Sequence, residues 1–321
     1  MPALLTQFFD VIDSELKPGE LFASYKDKNS DIKLIFRNYQ GLVLFLENYG
    51  KHVVKIQINL SGSCKTSRIP HDIKNFAKHL EELRIISSYD DYGEHSEFWE
   101  AISNIRFPNV KNVTMGHLIK QTDFKLHKMF PKLENLFLYG DISDENCLDN
   151  VTKLKELALY TASIPESKLD SIYRENNGIT RIHLFKPSMR ETLKSIVQHL
   201  KDLKIFEVFC PGNSFLLREG NDQLYEFPKL ENLSIYFASI YNIYEIDKLA
   251  FEMPKLQELT LRGNFKDIRF VKFFENFKEL KIVRLAPIDD VYKQLMAPTW
   301  TLSKSIFIDC IEYSEFKKSN K

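Results

Sequence analysis

Nothing in this 321-residue chain carries an excess of charge: Lys plus Arg and Asp plus Glu are both 44, a formal net charge of zero. Binding nucleic acid or an anionic bilayer through bulk electrostatics needs a surplus of positive charge, so that route is excluded as a global property. Glycine is sparse, with 11 residues, and neither GxGxxG nor GxxxxGK[ST] occurs, so no phosphate-cradling loop is written in the chain. GxSxG and HExxH are absent as well. The four cysteines, Cys64, Cys147, Cys210 and Cys310, stand apart with no pair at metal-ligand spacing. That usage predicts reduced thiols in an intracellular protein. No run of about 18 apolar residues is present to span a bilayer. The opening Met1-Pro2-Ala3-Leu4-Leu5-Thr6-Gln7-Phe8-Phe9-Asp10 lacks the basic region of a secretory signal. These absences predict a cytoplasmic or nuclear protein with no cofactor, no metal and no enzymatic activity.

What is present is a repeated phrase: apolar, two residues, apolar, one residue, apolar. It occurs ten times, with first slots at Val53, Leu80, Val110, Leu133, Leu154, Ile179, Leu203, Leu230, Leu256 and Leu280, at steps of 21 to 30 residues. Leu133-x-x-Leu136-x-Leu138 and Leu256-x-x-Leu259-x-Leu261 are among the cleanest copies. The last two slots have strand spacing and point to one side. One such strand cannot bury its apolar side alone, but stacked in a parallel sheet it can. The period predicts an α/β leucine-rich-repeat solenoid, a horseshoe with a parallel concave sheet and helices on the convex side. With 44% hydrophobic residues, 25 Phe and 14 Tyr, there is ample material for its core.

The return segments support this. Ile73, Phe76, Ala77 and Leu80 have helical spacing, as do Leu193, Ile196, Val197 and Leu200, and Ile246, Leu249, Ala250 and Met253; Phe270, Val271, Phe274 and Phe277 continue the pattern. Phe107-Pro108, Phe130-Pro131, Phe227-Pro228 and Met253-Pro254 each stand three residues before a first slot. Proline holds the preceding residue extended and ends the helix, while the large apolar residue anchors that end.

The boundaries follow. Residues 51–302 hold the repeats. Residues 1–50 form an N-terminal cap: a helix through Leu4, Leu5, Phe8, Phe9, Ile12 and Leu16, a strand through Ile32, Leu34 and Phe36, and a helix at Leu42-Val43-Leu44-Phe45-Leu46. Residues 303–321 give a last strand at Ser305–Asp309 and a polar tail, Lys317-Lys318-Ser319-Asn320-Lys321, expected to fray.

The irregular repeat lengths, the Phe-Pro-Lys-Leu joints and the stretch Arg37-Asn38-Tyr39-Gln40-Gly41-Leu42 resemble the repeat half of F-box/leucine-rich-repeat proteins, over residues 30 to 310. That resemblance implies the target-recognition part of an SCF-type ubiquitin ligase receptor, with an F-box adaptor and a cullin as further partners. The F-box is not recognisable: residues 1–50 contain no Trp and no Leu-Pro opening. The alternative is a stand-alone scaffold or inhibitor with no ligase role.

The candidate site is the strand face that looks away from the helices. The residue after the last slot is aromatic in five successive repeats, Tyr139, Tyr160, Phe185, Phe209 and Tyr236. Beside that row run Phe137, Ala158, His183, Glu207 and Ser234, and then Asn135, Glu156, Arg181, Ile205 and Asn232. Exposed aromatics mark interfaces, so Tyr139, Tyr160, Phe185, Phe209, Tyr236, Phe137, Glu156, Arg181 and His183 are the expected partner-binding residues. A protein partner is predicted; membrane and nucleic acid are not. Two longer loops, around Ser87–His95 and Pro211–Asp222, could also protrude.

Overall fold

The computed structural model describes residues 21–27, 30–36, 39–60, 67–87, 96–116, 124–139, 145–160, 164–185, 190–210, 225–237, 242–243, 251–265, 274, 276–286, 300–308 and 311–318. The chain divides into two compact units, residues 1–154 with 163–165, and residues 155–162 with 166–321.

The first unit holds strands β1 (Leu21–Asp27), β2 (Ser30–Phe36), β3 (Val53–Leu60), β4 (Glu82–Ser87), β5 (Asn112–Gly116) and β6 (Asn135–Tyr139) in the order β2-β1-β3-β4-β5-β6. The hairpin β1–β2 is antiparallel, and β1 also runs antiparallel to β3. From β3 onward the strands are parallel, with Ile56, Leu83, Val113 and Leu136 in one register row and Ile58, Ile85, Met115 and Leu138 in another. Helices α1 (Tyr39–Tyr49), α2 (Ile69–Phe76), α3 (Ser96–Ser103) and α4 (Leu126–Met129) intervene. Pro70 sits in the first turn of α2, where its missing N–H costs nothing.

The second unit holds β7 (Glu156–Tyr160), β8 (Arg181–Phe185), β9 (Ile205–Cys210), β10 (Asn232–Phe237), β11 (Glu258–Arg262), β12 (Ile282–Ala286), β13 (Trp300–Ile308) and β14 (Ile311–Lys318) in the order β7-β8-β9-β10-β11-β12-β14-β13. Strands β7 to β12 are parallel. The β13–β14 hairpin closes the edge, β14 antiparallel to β12. Helices α5 (Glu166–Glu175) and α6 (Arg190–His199) connect β7 to β9. Both units are thus mostly parallel α/β structures with open sheets.

The repeated phrase is the core. Every apolar slot of all ten phrases is buried, none more than 4% exposed. Except for Val53, which opens β3, the first slot is not in the strand but precedes it. Leu80 N donates to Ala77 O at 3.1 Å, Leu133 N to Phe130 O at 3.1 Å and Leu256 N to Met253 O at 3.2 Å. The anchoring residues Phe107, Phe130, Phe227 and Met253 are at most 3% exposed, while each following proline is exposed. The residue after the first slot then donates to its counterpart one repeat earlier: Glu134 to Lys111 at 2.8 Å in the first unit, and Lys204 to Thr180, Glu231 to Lys204 and Gln257 to Glu231 at 2.8–2.9 Å in the second. Backbone groups at the entry to each strand are therefore paired before the β-ladder proper begins.

Three expectations need correction. Met253 does not end a helix: Phe251–Glu252 is a two-residue strand, parallel to Tyr225–Glu226. Phe251 packs edge-on against Phe227 at 5.4 Å and Tyr225 at 6.2 Å, so lateral aromatic pairing takes the place of a helical turn. The C-terminal strand opens at Trp300, not Ser305; Trp300 is 2% exposed and packs edge-on against Phe274 at 6.2 Å. Lys317 and Lys318 do not fray: they belong to β14, and Lys318 N donates to Lys281 O at 3.0 Å. The strand Leu21–Asp27 has no counterpart in the sequence reading. The expected helix through Leu4 and Leu16, the helical run Ile246–Ala250, Phe270, Val271, the loops Ser88–His95 and Pro211–Asp222, Cys64 and Cys310 lie outside the described residues.

Candidate interaction face

On every central strand the slots face the core and alternate residues face away. In the second unit this produces three register rows. The first holds Glu156, Arg181, Ile205, Asn232 and Glu258; the second Ala158, His183, Glu207, Ser234, Thr260 and Arg284; the third Phe185, Phe209, Tyr236 and Arg262.

The aromatic row is neither core nor free surface. Tyr160, Phe185, Phe209 and Tyr236 are each half-buried. Phe185 and Phe209 stack with centroids 5.1 Å apart and planes at 29°, so the two rings cover part of each other. Tyr139 sits at the end of β6 in the first unit and is 39% exposed, with Phe137 half-buried beside it. Within the second unit the row is therefore Tyr160 to Tyr236. Arg181 is exposed. Ala158, expected to face solvent, is fully buried, and Thr260 in the same row is 4% exposed; a small side chain between large neighbours is simply covered by them.

His183 organises the polar part of the face. Its Nδ1 lies 3.0 Å from Glu207 Oε2 and its Nε2 lies 3.2 Å from Glu156 Oε1. An ionised carboxylate only accepts, so the form of the ring that donates to both Glu207 and Glu156 is the doubly protonated imidazole. Burial alone would push its pKa down; the hydrogen bond and charge of Glu207, followed by those of Glu156, outweigh burial and hold it above the ordinary imidazole value. Further along the same row, Arg284 repeats the arrangement. Its Nε donates to Glu315 Oε2 at 2.9 Å and a terminal nitrogen to Glu258 Oε2 at 2.7 Å. Glu315 also accepts from Ser303 Oγ at 2.9 Å. The sequence reading placed Glu207 beside the row but did not foresee its pairing, and it missed the Arg284 cluster. The one available signal was cation and carboxylate at equivalent phrase positions, legible only once the register is known.

A hydroxyl, an imidazole and a carboxylate also meet between α5 and α6. Ser195 Oγ donates to Asp170 Oδ1 at 2.7 Å and His199 Nε2 donates to the same oxygen at 3.0 Å. In nucleophilic catalysis the imidazole must bridge hydroxyl and carboxylate. Here the carboxylate bridges the other two, so the imidazole contacts Asp170 and not Ser195. Ser195 hydrogen-bonding, followed by contact with His199, holds the Asp170 carboxyl below its usual range against opposing burial. The cluster, with Thr192 donating to Glu166, joins the two helices. His127 donates to the Asp149 carbonyl at 2.7 Å. Among the described residues no group of three or more His, Cys, Asp or Glu is arranged to hold a metal, and no helix is long and apolar enough to cross a membrane. Cys147 is a buried free thiol.

No family model and no curated protein matches the sequence. Among solved structures the chain is similar to a structural-genomics crystal structure of a Bacteroides fragilis protein, at 9% identity and a TM-score of 0.37 over 83% of this chain and 92% of that one.

Proposed function

We propose that this chain is a non-enzymatic protein-binding module, a leucine-rich-repeat solenoid that takes its partner on the strand face. The observation that carries the reading is the row Tyr160, Phe185, Phe209 and Tyr236. Four half-exposed aromatics set strand by strand, about 4.8 Å apart, present rigid apolar area at low entropic cost, the chemistry of binding hot spots. The salt-bridged His183 and the exposed Arg181 supply polar contacts at the side of the row.

The narrower reading, a ubiquitin-ligase substrate receptor, rests on the resemblance in repeat style. The alternative is a stand-alone scaffold or inhibitor; strands Leu21–Asp27 and Ser30–Phe36 pair as a β-hairpin and are not themselves F-box helices. Co-purification with the F-box adaptor and a cullin separates the two.

The experiment for the common reading is affinity capture with the wild-type chain and with Phe185→Ser/Phe209→Ser. The expected result is a partner lost from the variant while its cooperative melt persists. A partner retained in full by the variant would remove the aromatic row from the interface.

A further inference from the structure

In the first unit a groove of about 560 Å³ runs between two successive joint turns, Ala77–Leu80 and Phe107–Val110. Its volume is that of ligand-sized clefts. Lys74, Lys78 and Arg106 line it, and among the described residues no carboxylate does. All three cations are exposed. Exposed Pro108 offers apolar surface in the groove, above Leu80, Phe107 and Val110, each at most 3% exposed.

The turn residue just before the first slot differs between the two units. At the residue just before the first slot, the second unit places Asp202, Lys229, Lys255 and Glu279, which pair off: Lys229 with Asp202 at 2.5 Å and Lys255 with Glu279 at 3.1 Å. The equivalent residues of the first unit are His52, His79, Asn109, Lys132 and Lys153, with no acid among them. Instead Asn109 Nδ2 donates to Lys78 O at 2.9 Å, and Lys132 Nζ donates to Asn109 Oδ1 at 2.9 Å. Neighbouring turns are tied together, while among the described residues no carboxylate pairs with Lys74, Lys78 or Arg106. The groove is preformed and positive.

We propose that this groove docks an acidic peptide segment of another protein, one apolar side chain lying against Pro108 above Leu80, Phe107 and Val110, and flanking carboxylates meeting Lys74, Lys78 and Arg106. Leu80, Phe107 and Val110 are already buried by their own packing, so no deep apolar channel of the kind an acyl chain requires opens beneath the groove. Phe107 stacks on Phe130 at 5.7 Å and 16° and shows no open ring face on which a nucleobase could stack. The occupant that fits both the apolar surface and the cations is a peptide.

Panning random dodecapeptides on the full chain tests this. Recovered sequences should combine an apolar residue with two or more Asp or Glu. A synthetic peptide of that consensus should bind Lys78→Glu/Arg106→Glu at least about tenfold more weakly than wild type. The milder Lys78→Gln/Arg106→Gln should weaken it less, and Phe185→Ser/Phe209→Ser, a change confined to the aromatic row, should leave it unchanged. Recovery of no peptide, or of peptides without acidic residues, overturns the proposal, as does equal affinity in the charge-reversed variant. Loss of the peptide from Phe185→Ser/Phe209→Ser would move the site to the strand face. Capture by phosphatidylglycerol vesicles or oligouridylate that is lost with Lys78→Glu/Arg106→Glu would give the groove to another class of ligand.

Discussion

The His183 imidazole and the Glu207 carboxylate meet at 3.0 Å across the β8–β9 register, on the face where the aromatic row lies. With Glu156 on the other ring nitrogen, this makes His183 a pH-dependent strut. Its pKa is raised in the fold, so the folded state holds the proton more tightly than the unfolded chain. The contribution is whole below the unfolded imidazole value of about 6.5 and is lost as pH rises through the raised folded value. Urea unfolding at acidic and alkaline pH should show stability falling above about pH 6.5, in part through this residue. His183→Gln should cost about 1–2 kcal/mol at pH 6 and less at pH 9. A pH slope identical in wild type and variant would show that His183 titrates the same way folded and unfolded.

Much of the fold is legible in the sequence, because its cause is local and periodic. A slot such as Leu136 or Leu259 is buried for the same reason at every repeat, and Phe107-Pro108 or Phe227-Pro228 ends each return segment by backbone sterics. What escapes periodic reading depends on partners far along the chain. Phe251 is extended because Phe227 and Tyr225 are beside it, and Lys318 is ordered because Lys281 O accepts its N–H. The site divides the same way. The aromatic row was visible as one phrase position, whereas the His183 pairing and the cationic groove arise from side chains 24 to 32 residues apart.

Gly50 provides a test of packing. It is buried in the turn between α1 and β3, and a Cβ built there would lie 2.7 Å from Phe76 O and 2.8 Å from Phe76 C. Both are backbone atoms at the end of α2 and cannot rotate away. Gly50→Ala should cost about 1–3 kcal/mol. Gly178, where a Cβ meets nothing within 4 Å, is the matched control: Gly178→Ala should be neutral or stabilise by up to about 1 kcal/mol through reduced unfolded-state entropy. Thermal melts of the two variants moving together would refute the close approach at Gly50.

Lys153 tests backbone strain. With φ 72° it occupies the left-handed region without being Gly, as does Asn150 at φ 59°. Asparagine tolerates that region and lysine pays more for it. Lys153 is exposed, so its side chain has little packing to lose. Lys153→Gly should stabilise by about 0.5–1 kcal/mol, while Asn150→Ala should destabilise by a similar amount. The midpoint of denaturant unfolding reads both, and a Lys153→Gly protein weaker than wild type would contradict the assigned backbone.

Arg284 and Glu315 tie β12 to the closing strand β14. The Glu315 residue is only 3% exposed, which would raise its pKa, yet hydrogen bonds from Ser303 and Arg284 and the Arg284 charge hold it below the ordinary carboxylate value. A depressed value means stability that is present above the unfolded pKa, about 4.5, and is lost as pH falls through the folded one. Arg284→Met removes the cation and leaves Glu315 covered beside Glu258 with Ser303 as its main donor. The expected cost is about 3 kcal/mol at pH 7, shrinking towards pH 4 as Glu315 takes up a proton and no longer needs a counter-charge. Adding Glu315→Gln to Arg284→Met should return part of the loss at neutral pH, since a neutral amide can keep the Ser303 contact. Equilibrium unfolding of the three proteins across that pH range decides the matter. A deficit in Arg284→Met that stays constant with pH would mean that the arginine acts through the packing of its stem alone, and that the β12–β14 closure does not depend on charge.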